Sequence, residues 1–362
     1  MNQFVYVKIL TDEGHYGIGE ASLSGRNLAV VEALEHLKPL LIGQDPSRIE
    51  FIWQDIFRGT FWCGGPVMQS ALAGVDIALW DLNGKALGVP TYKLLGGAAR
   101  DKVLLYRHCG GKSPEQLAET GIAMLSDGWK VLRISPVIPE ENFNAKTGIF
   151  NGIKHFTALR ETVGEEPEVI FEVRTRLSPI QAVDLCNAIE PLRPMYVEDP
   201  IRSENPASFA MLRSHTNVAL ATGEQLTHKW AFRGMIEQEL IDYLRVAICH
   251  SGGITEGKKI TVMGEVHYQE LATHYTSSPV STAAMPHLNL SVPNCPVQEH
   301  NPPRGIINDI VSYDWRVGDG FMLSGDSPGL GIDIDEAAAA QHPHSPAEPP
   351  HLRREDGSVQ DW

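Results

Sequence analysis

Three glutamates close three short apolar runs at even spacing. They are Glu172 in VIFEV, Glu198 in MYVEDP and Glu224 in ALATGEQ, and the second and third each follow the previous one by 26 residues. One strand, one helix and two loops take about that many residues when eight such units fill roughly 200–250 residues. A parallel barrel therefore sets the three carboxylates side by side on one rim. Three anions there repel each other unless something positive lies between them. A hard divalent cation with oxygen ligands, Mg²⁺ by default, is the simplest answer.

Other strand ends carry groups that could share this chemistry. They include His108 in VLLYRH, Arg133 in KVLRIS, and Arg174 and Arg176 just past Glu172. Asp199, Arg245, His250, His274, Glu299 and His300 follow in later runs. A single glutamate at a strand end is commonly solvated or ion-paired, but three in phase favour a metal. His274 is balanced between an ordinary hydrogen-bonded histidine and a proton-transfer group facing the metal strands. Arg176 reads as a neutraliser of the acidic rim, and Arg245 has an ion pair with the metal-site carboxylates as its plainer role. His342 and His344 lie in a Pro/His-rich tail and read as solvated. Cys249 reads as a small core residue.

The elements that must hold these groups fall into three stretches. FVYVKIL and IGEA read as a hairpin turned at Gly14. Amphipathic patterns follow over 27–42, 46–57 and 66–87, the last stopping at Gly88 and Pro90. After Gly96-Gly97, eight apolar runs alternate with helical ones: 103–108, 130–135, 168–173, 195–198, 218–223, 242–246, 270–274 and 296–299. This alternation predicts a (β/α)₈ barrel. The expected organisation is an N-terminal α+β capping domain over 1–97, the barrel over 98–320, and a C-terminal segment over 321–362 that returns to the cap.

The chain has 362 residues with net charge −15, 43% apolar and 21% charged residues. An acidic surface argues against nucleic acid and anionic membranes as partners. Five scattered cysteines without a CxxC indicate neither a disulfide framework nor a zinc cage. No run reaches transmembrane length and no signal-peptide pattern opens the chain, so the cytoplasm is the expected compartment.

Taken in order, the motifs TDEGHYGIGEA, LIGQDPSRIE, GPVMQSALAGVDIALWDLNGKALGVPTYKLLGG, VEDP, ATGEQ, DYLRV, CHSGGITE, PGLGIDIDE and REDGSVQDW resemble the enolase superfamily. Within it they are similar to sugar-acid dehydratases of the mannonate dehydratase type. The resemblance implies Mg²⁺ on Glu172, Glu198 and Glu224, and abstraction of the proton alpha to a substrate carboxylate. Loss of the 3-hydroxyl then leaves a 2-keto-3-deoxy acid. It implies catalytic roles for His274, Arg133 and Arg174. Substrate contacts are implied at His108, Arg245, Glu299 and Trp362. It further implies an acid-sugar substrate and a homo-oligomer.

The departures from that type are specific. Glu172 stands where an Asp is usual, and Arg174 stands where a His serves as the acid. A guanidinium stays protonated and is a poor proton donor. The 135–156 loop has no Tyr to act as base beside Arg133. Ala247 stands where racemase-type members carry an Asp. The chain also opens on the family's second strand, so its usual first strand is expected to be missing. Two other readings therefore stay open: an epimerase, racemase or cycloisomerase on a carboxylate substrate, and a drifted member that binds an acid with little turnover.

Overall fold

A computed structural model describes residues 3–136, 143–275, 278–303, 305–345 and 351–361. The N-terminal hairpin forms as expected, with β1 (Tyr6–Leu10) antiparallel to β2 (Tyr16–Glu20). Three helices follow, Asn27–Leu41, Ile49–Arg58 and Pro66–Leu87. The second starts later than the pattern over 46–57 suggests. Asp45 and Pro46 are spent on a turn, in which the Asp45 side chain accepts from the Ser47 amide at 2.9 Å.

Helix Pro66–Leu87 is apolar on nearly every face because it is buried from both sides. Strand β2 lies against one side so tightly that no side chain fits at Gly17 or Gly19. A Cβ there would stand 2.0 Å from the Ala78 or Gly74 carbonyl oxygen. The cap has its own apolar core around Val30, Leu37, Ile52, Trp53 and Leu72. Trp53 also reaches the barrel, donating its indole N–H to the Gly252 carbonyl at 2.7 Å.

The eight predicted runs become eight parallel strands. They are β3 (Val103–His108), β4 (Val131–Ile134), β5 (Glu168–Glu172), β6 (Val197–Glu198), β7 (Leu220–Thr222), β8 (Tyr243–Leu244), β9 (Glu270–Thr273) and β10 (Val297–Glu299). Pairing of β10 with β3 closes the barrel. Beyond it, β11 (Val311–Tyr313) pairs with β14 (Ile332–Ile334), and β12 (Arg316–Gly318) forms a hairpin with β13 (Phe321–Leu323). The last strand region is tied to the cap. The Leu330 amide donates to Asp81 at 2.8 Å and the Tyr16 hydroxyl to Asp333 at 2.9 Å. No described helix is long and apolar enough to cross a membrane.

The barrel interior is layered. Tyr106, Val131, Ile170, Tyr196, Ala221, Ala272 and Val297 form one buried apolar layer, with Tyr243 packed against it. Two residues further along each strand stands another inward position, because side chains alternate with period two. Those positions are His108, Arg133, Glu172, Glu198, Gly223, His274, Glu299 and, after Tyr243, Arg245. The alternation thus sets a ring of charge directly above the apolar layer, at the C-terminal ends of the strands.

Candidate active site

Glu198 is the hub of this ring and is fully buried. Its Oε1 accepts from Arg133 Nη2 at 2.9 Å and from Arg245 Nη2 at 3.1 Å. The same Arg133 nitrogen lies 2.5 Å from Glu172 Oε1, so Glu172 and Glu198 share one donor across paired strands. Ser135 donates to the other Glu172 oxygen, and Arg174 Nη1 lies 3.4 Å from Oε1.

Glu299 is buried and well supplied with donors. It accepts from Arg245 at 2.5 Å, His108 Nε2 at 2.6 Å, the Tyr106 hydroxyl at 3.0 Å and the Tyr275 amide at 3.3 Å. Burial, the largest influence, would raise its pKa. Arg245, the His108 hydrogen bond and Arg133 outweigh it and hold Glu299 well below the usual carboxylate range. Burial also works against the charge on Arg133 and Arg245. Glu198 and the other carboxylates still push both further above the usual arginine range.

His108 and His274 are the imidazoles at this ring. His108 Nε2 is contested, because Arg133 Nη1 also lies 3.0 Å away. When protonated, that nitrogen donates to Glu299; when bare, it accepts from Arg133. His274 Nε2 lies 3.1 Å from Glu224 Oε2, and its Nδ1 is buried with no hydrogen-bond partner. Nearby His250 accepts no charge readily, since burial and then His274 push it down to about 4.

Asp199 joins the site although it directly follows Glu198. Strict alternation would send it to the opposite face, but its backbone is left-handed, with φ 43°. One oxygen from each of Glu198, Asp199 and Glu224 lies within 4.8 Å of the others. Asp199 Oδ1 accepts from Thr222 at 2.6 Å, while Oδ2 is buried without a partner. Burial, Glu224 and Glu198 raise the Asp199 pKa far above the carboxylate range. An oxygen-only donor set with an orphaned buried oxygen and mutual repulsion suits a hard divalent cation.

The ring therefore gathers Glu172, Glu198, Glu224, Arg133, Arg174, Arg245, His108, His274 and Glu299. Arg245 is wholly buried and acts on the carboxylates. Arg174 meets Glu172 by a route other than alternation. Strand β5 ends at Glu172, and Arg174 and Thr175 are both left-handed, with φ 58° and 62°. Trp362 lies outside the described residues. Tyr106 and Ser135 were not singled out as site residues by sequence reasoning, and Asp199 was read as a strand-end group but not as a metal ligand. The VEDP motif, with adjacent acids before a proline, is the signal that points to Asp199.

Residues 1–96 match the mandelate racemase / muconate lactonizing enzyme N-terminal domain, and residues 118–338 match the enolase C-terminal domain-like family. The chain is a member of the enolase superfamily. It is 38% identical to a D-mannonate dehydratase of Caulobacter vibrioides, over 99% of this chain and 96% of that one. A D-galactonate dehydratase family member of Halomonas elongata is 36% identical over the same shares. In structure it is similar to an enolase from Pantoea ananatis with bound D-gluconate and Mg. The TM-score is 0.94 and the identity 34%, over 99% of this chain and 96% of that one. Enolase-superfamily membership accounts for the paired cap and barrel, and the dehydratase relatives are consistent with an enzyme of the hydro-lyase kind.

Proposed function

We propose that the protein dehydrates an aldonate sugar acid, removing the proton alpha to the carboxylate and the 3-hydroxyl to give a 2-keto-3-deoxy acid. The observation that carries this reading is the carboxylate group around Glu198, flanked by His274 on one strand end and His108 on another. The names of the relatives and the gluconate in the similar structure support the substrate class.

Glu198 and Glu224 would hold Mg²⁺, with Glu172 as third ligand across the β5–β6 register and Asp199 closing the group from behind. When bound, the cation supplies positive charge for the negative charge that builds on a carboxylate as its alpha carbon loses a proton. His274 is the group that takes or returns a proton, oriented by Glu224. Glu299 holds His108 through its Nε2–H, leaving the other nitrogen of the half-exposed ring to accept from a substrate hydroxyl. Arg133 bridges Glu172 and Glu198 and holds them side by side. Arg174 binds an anionic or carbonyl oxygen of the substrate and does not deliver the leaving-group proton.

The test is a panel of aldonates with Mg²⁺ and with EDTA, read by semicarbazone formation. A keto product that needs Mg²⁺ is expected, as is a loss of about 10²-fold in turnover for His274→Asn. Deuterium exchange without keto product would replace dehydration by epimerisation. Tight aldonate binding with no turnover would replace it by a binding role.

A further inference from the structure

Two aromatic side chains stand almost wholly in solvent in the 59–65 loop of the cap. Phe61 is 89% and Trp62 82% exposed, with their rings edge to face at 5.3 Å. A Cβ at Gly64 would stand 3.2 Å from the His228 ring, so the loop rests on the start of helix Lys229–Glu237. That helix presents Trp230, 43% exposed and stacked on Phe57 at 5.2 Å. A contiguous group of exposed aromatics, on a chain with its own buried core, marks a contact with another macromolecule.

Helix Ile49–Arg58 leads into this loop and turns a stripe of matching character outward. Ile49, Ile52, Trp53, Ile56 and Phe57 form its buried face. Phe51, Asp55 and Arg58 are exposed and spaced by four and three residues, so they share the other face. Glu50 is held by Lys259 of the barrel at 2.6 Å. Arg58 Nε donates to Gln54 at 2.8 Å, and a carboxylate can take the two terminal nitrogens. The stripe thus runs aromatic, acid, base, and the loop adds Phe61 and Trp62 beyond it. Such an order complements itself when reversed.

We propose that this face binds a second copy of the chain across a two-fold axis passing between Asp55 and Arg58. The two helices run antiparallel and each Asp55 meets the partner's Arg58. The Phe51 end of one helix meets the aromatic loop of the other. Arg48, 3.9 Å from the centroid of the Phe51 ring, then lies near the partner's Trp62, where an aromatic face favours a cation. The two-fold axis makes every pairing occur twice. The exposed parts of Phe51, Phe61, Trp62 and Trp230 on two copies come to roughly 1,000 Å², at about 150–250 Å² per whole aromatic side chain. That reaches the ~1,000 Å² at which a specific interface begins. A partner of other sequence would have to supply the reversed order, whereas a second copy already carries it.

The test is sedimentation of the full-length protein over a dilution series. An assembly of even copy number is expected at micromolar chain concentration, and Phe61→Ser with Trp62→Ser should halve its mass. Asp55→Arg alone and Arg58→Asp alone each set like charges together and should weaken association about tenfold or more. Asp55→Arg combined with Arg58→Asp makes the charges opposite again and should restore association to within about threefold. All four side chains are exposed, so the variants should keep the fold, which near-ultraviolet circular dichroism checks. A natural protein that sediments as a single chain would overturn the proposal and leave the patch to a different protein. So would an assembly unchanged by loss of Phe61 and Trp62, single reversals without effect, or defects that the double exchange does not rescue. None of these outcomes depends on the reaction catalysed.

Discussion

Arg174 stands where the dehydratase resemblance calls for a histidine, and its guanidinium touches Glu172 at 3.4 Å. A fixed cation there can hold an oxygen but cannot give up a proton at neutral pH. Weak or absent D-mannonate dehydration is therefore expected from the natural protein. Arg174→His should move activity toward simple aldonates. Side-by-side kinetics on mono- and dicarboxylate sugar acids check this; efficient D-mannonate turnover without the substitution would remove the role given to Arg174. Glu198→Gln should abolish Mg²⁺ binding by calorimetry, because Glu198 is common to the Glu172 pair and the Asp199–Glu224 group. Glu172→Gln should weaken binding more than Asp199→Asn. The reverse order would make Asp199 the third ligand in place of Glu172.

At the scale of elements, each of the eight apolar runs became a barrel strand, and period-two alternation explains why. The same rule places His108, Arg133, Glu172, Glu198, Arg245, His274 and Glu299 on one ring. It fails at Asp199 and Arg174, each itself in a left-handed backbone conformation, and at Glu224, which follows Gly223 with its positive φ; such torsions have no period to read. Glu224 depends on Gly223, whose φ is 140°. A Cβ at Gly223 would stand 2.6 Å from the Phe232 ring. Gly223→Ala should cost roughly 2–4 kcal/mol through strain and overpacking. It should also lower Mg²⁺ affinity by shifting Glu224. Chemical denaturation and calorimetry would show both losses together; loss of stability with unchanged affinity would separate Glu224 from the metal.

For the whole molecule, the seam between cap and barrel is held by buried acids on helix starts. Glu20 accepts from the Ser281 amide at 2.9 Å, and Asp76 accepts from the Thr255 amide at 3.0 Å. Burial outweighs these hydrogen bonds and pushes both carboxyls up to about 7. The folded values lie above the unfolded ones, so the unfolded chain gives up these protons first as pH rises. The contribution to stability is complete below about pH 4.5 and is lost by about pH 7. For Glu20 alone this is worth about 3 kcal/mol. Glu20→Gln, which keeps an acceptor without a charge, should raise the melting temperature at pH 8 and leave it nearly unchanged at pH 5. Equal shifts at both pH values would mean that Glu20 is already ionised in the folded protein.

The apolar layer beneath the charged ring has a further effect. A weakly polarisable floor cannot screen the carboxylates and guanidiniums above it, so their field lines leave through the open mouth. The ring then acts as an electrostatic lens, felt by an ion before contact. Capture of Mg²⁺ should therefore be faster in dilute buffer than at high ionic strength. Stopped-flow mixing across a salt series would reveal it, with the release rate changing far less than the rate of capture.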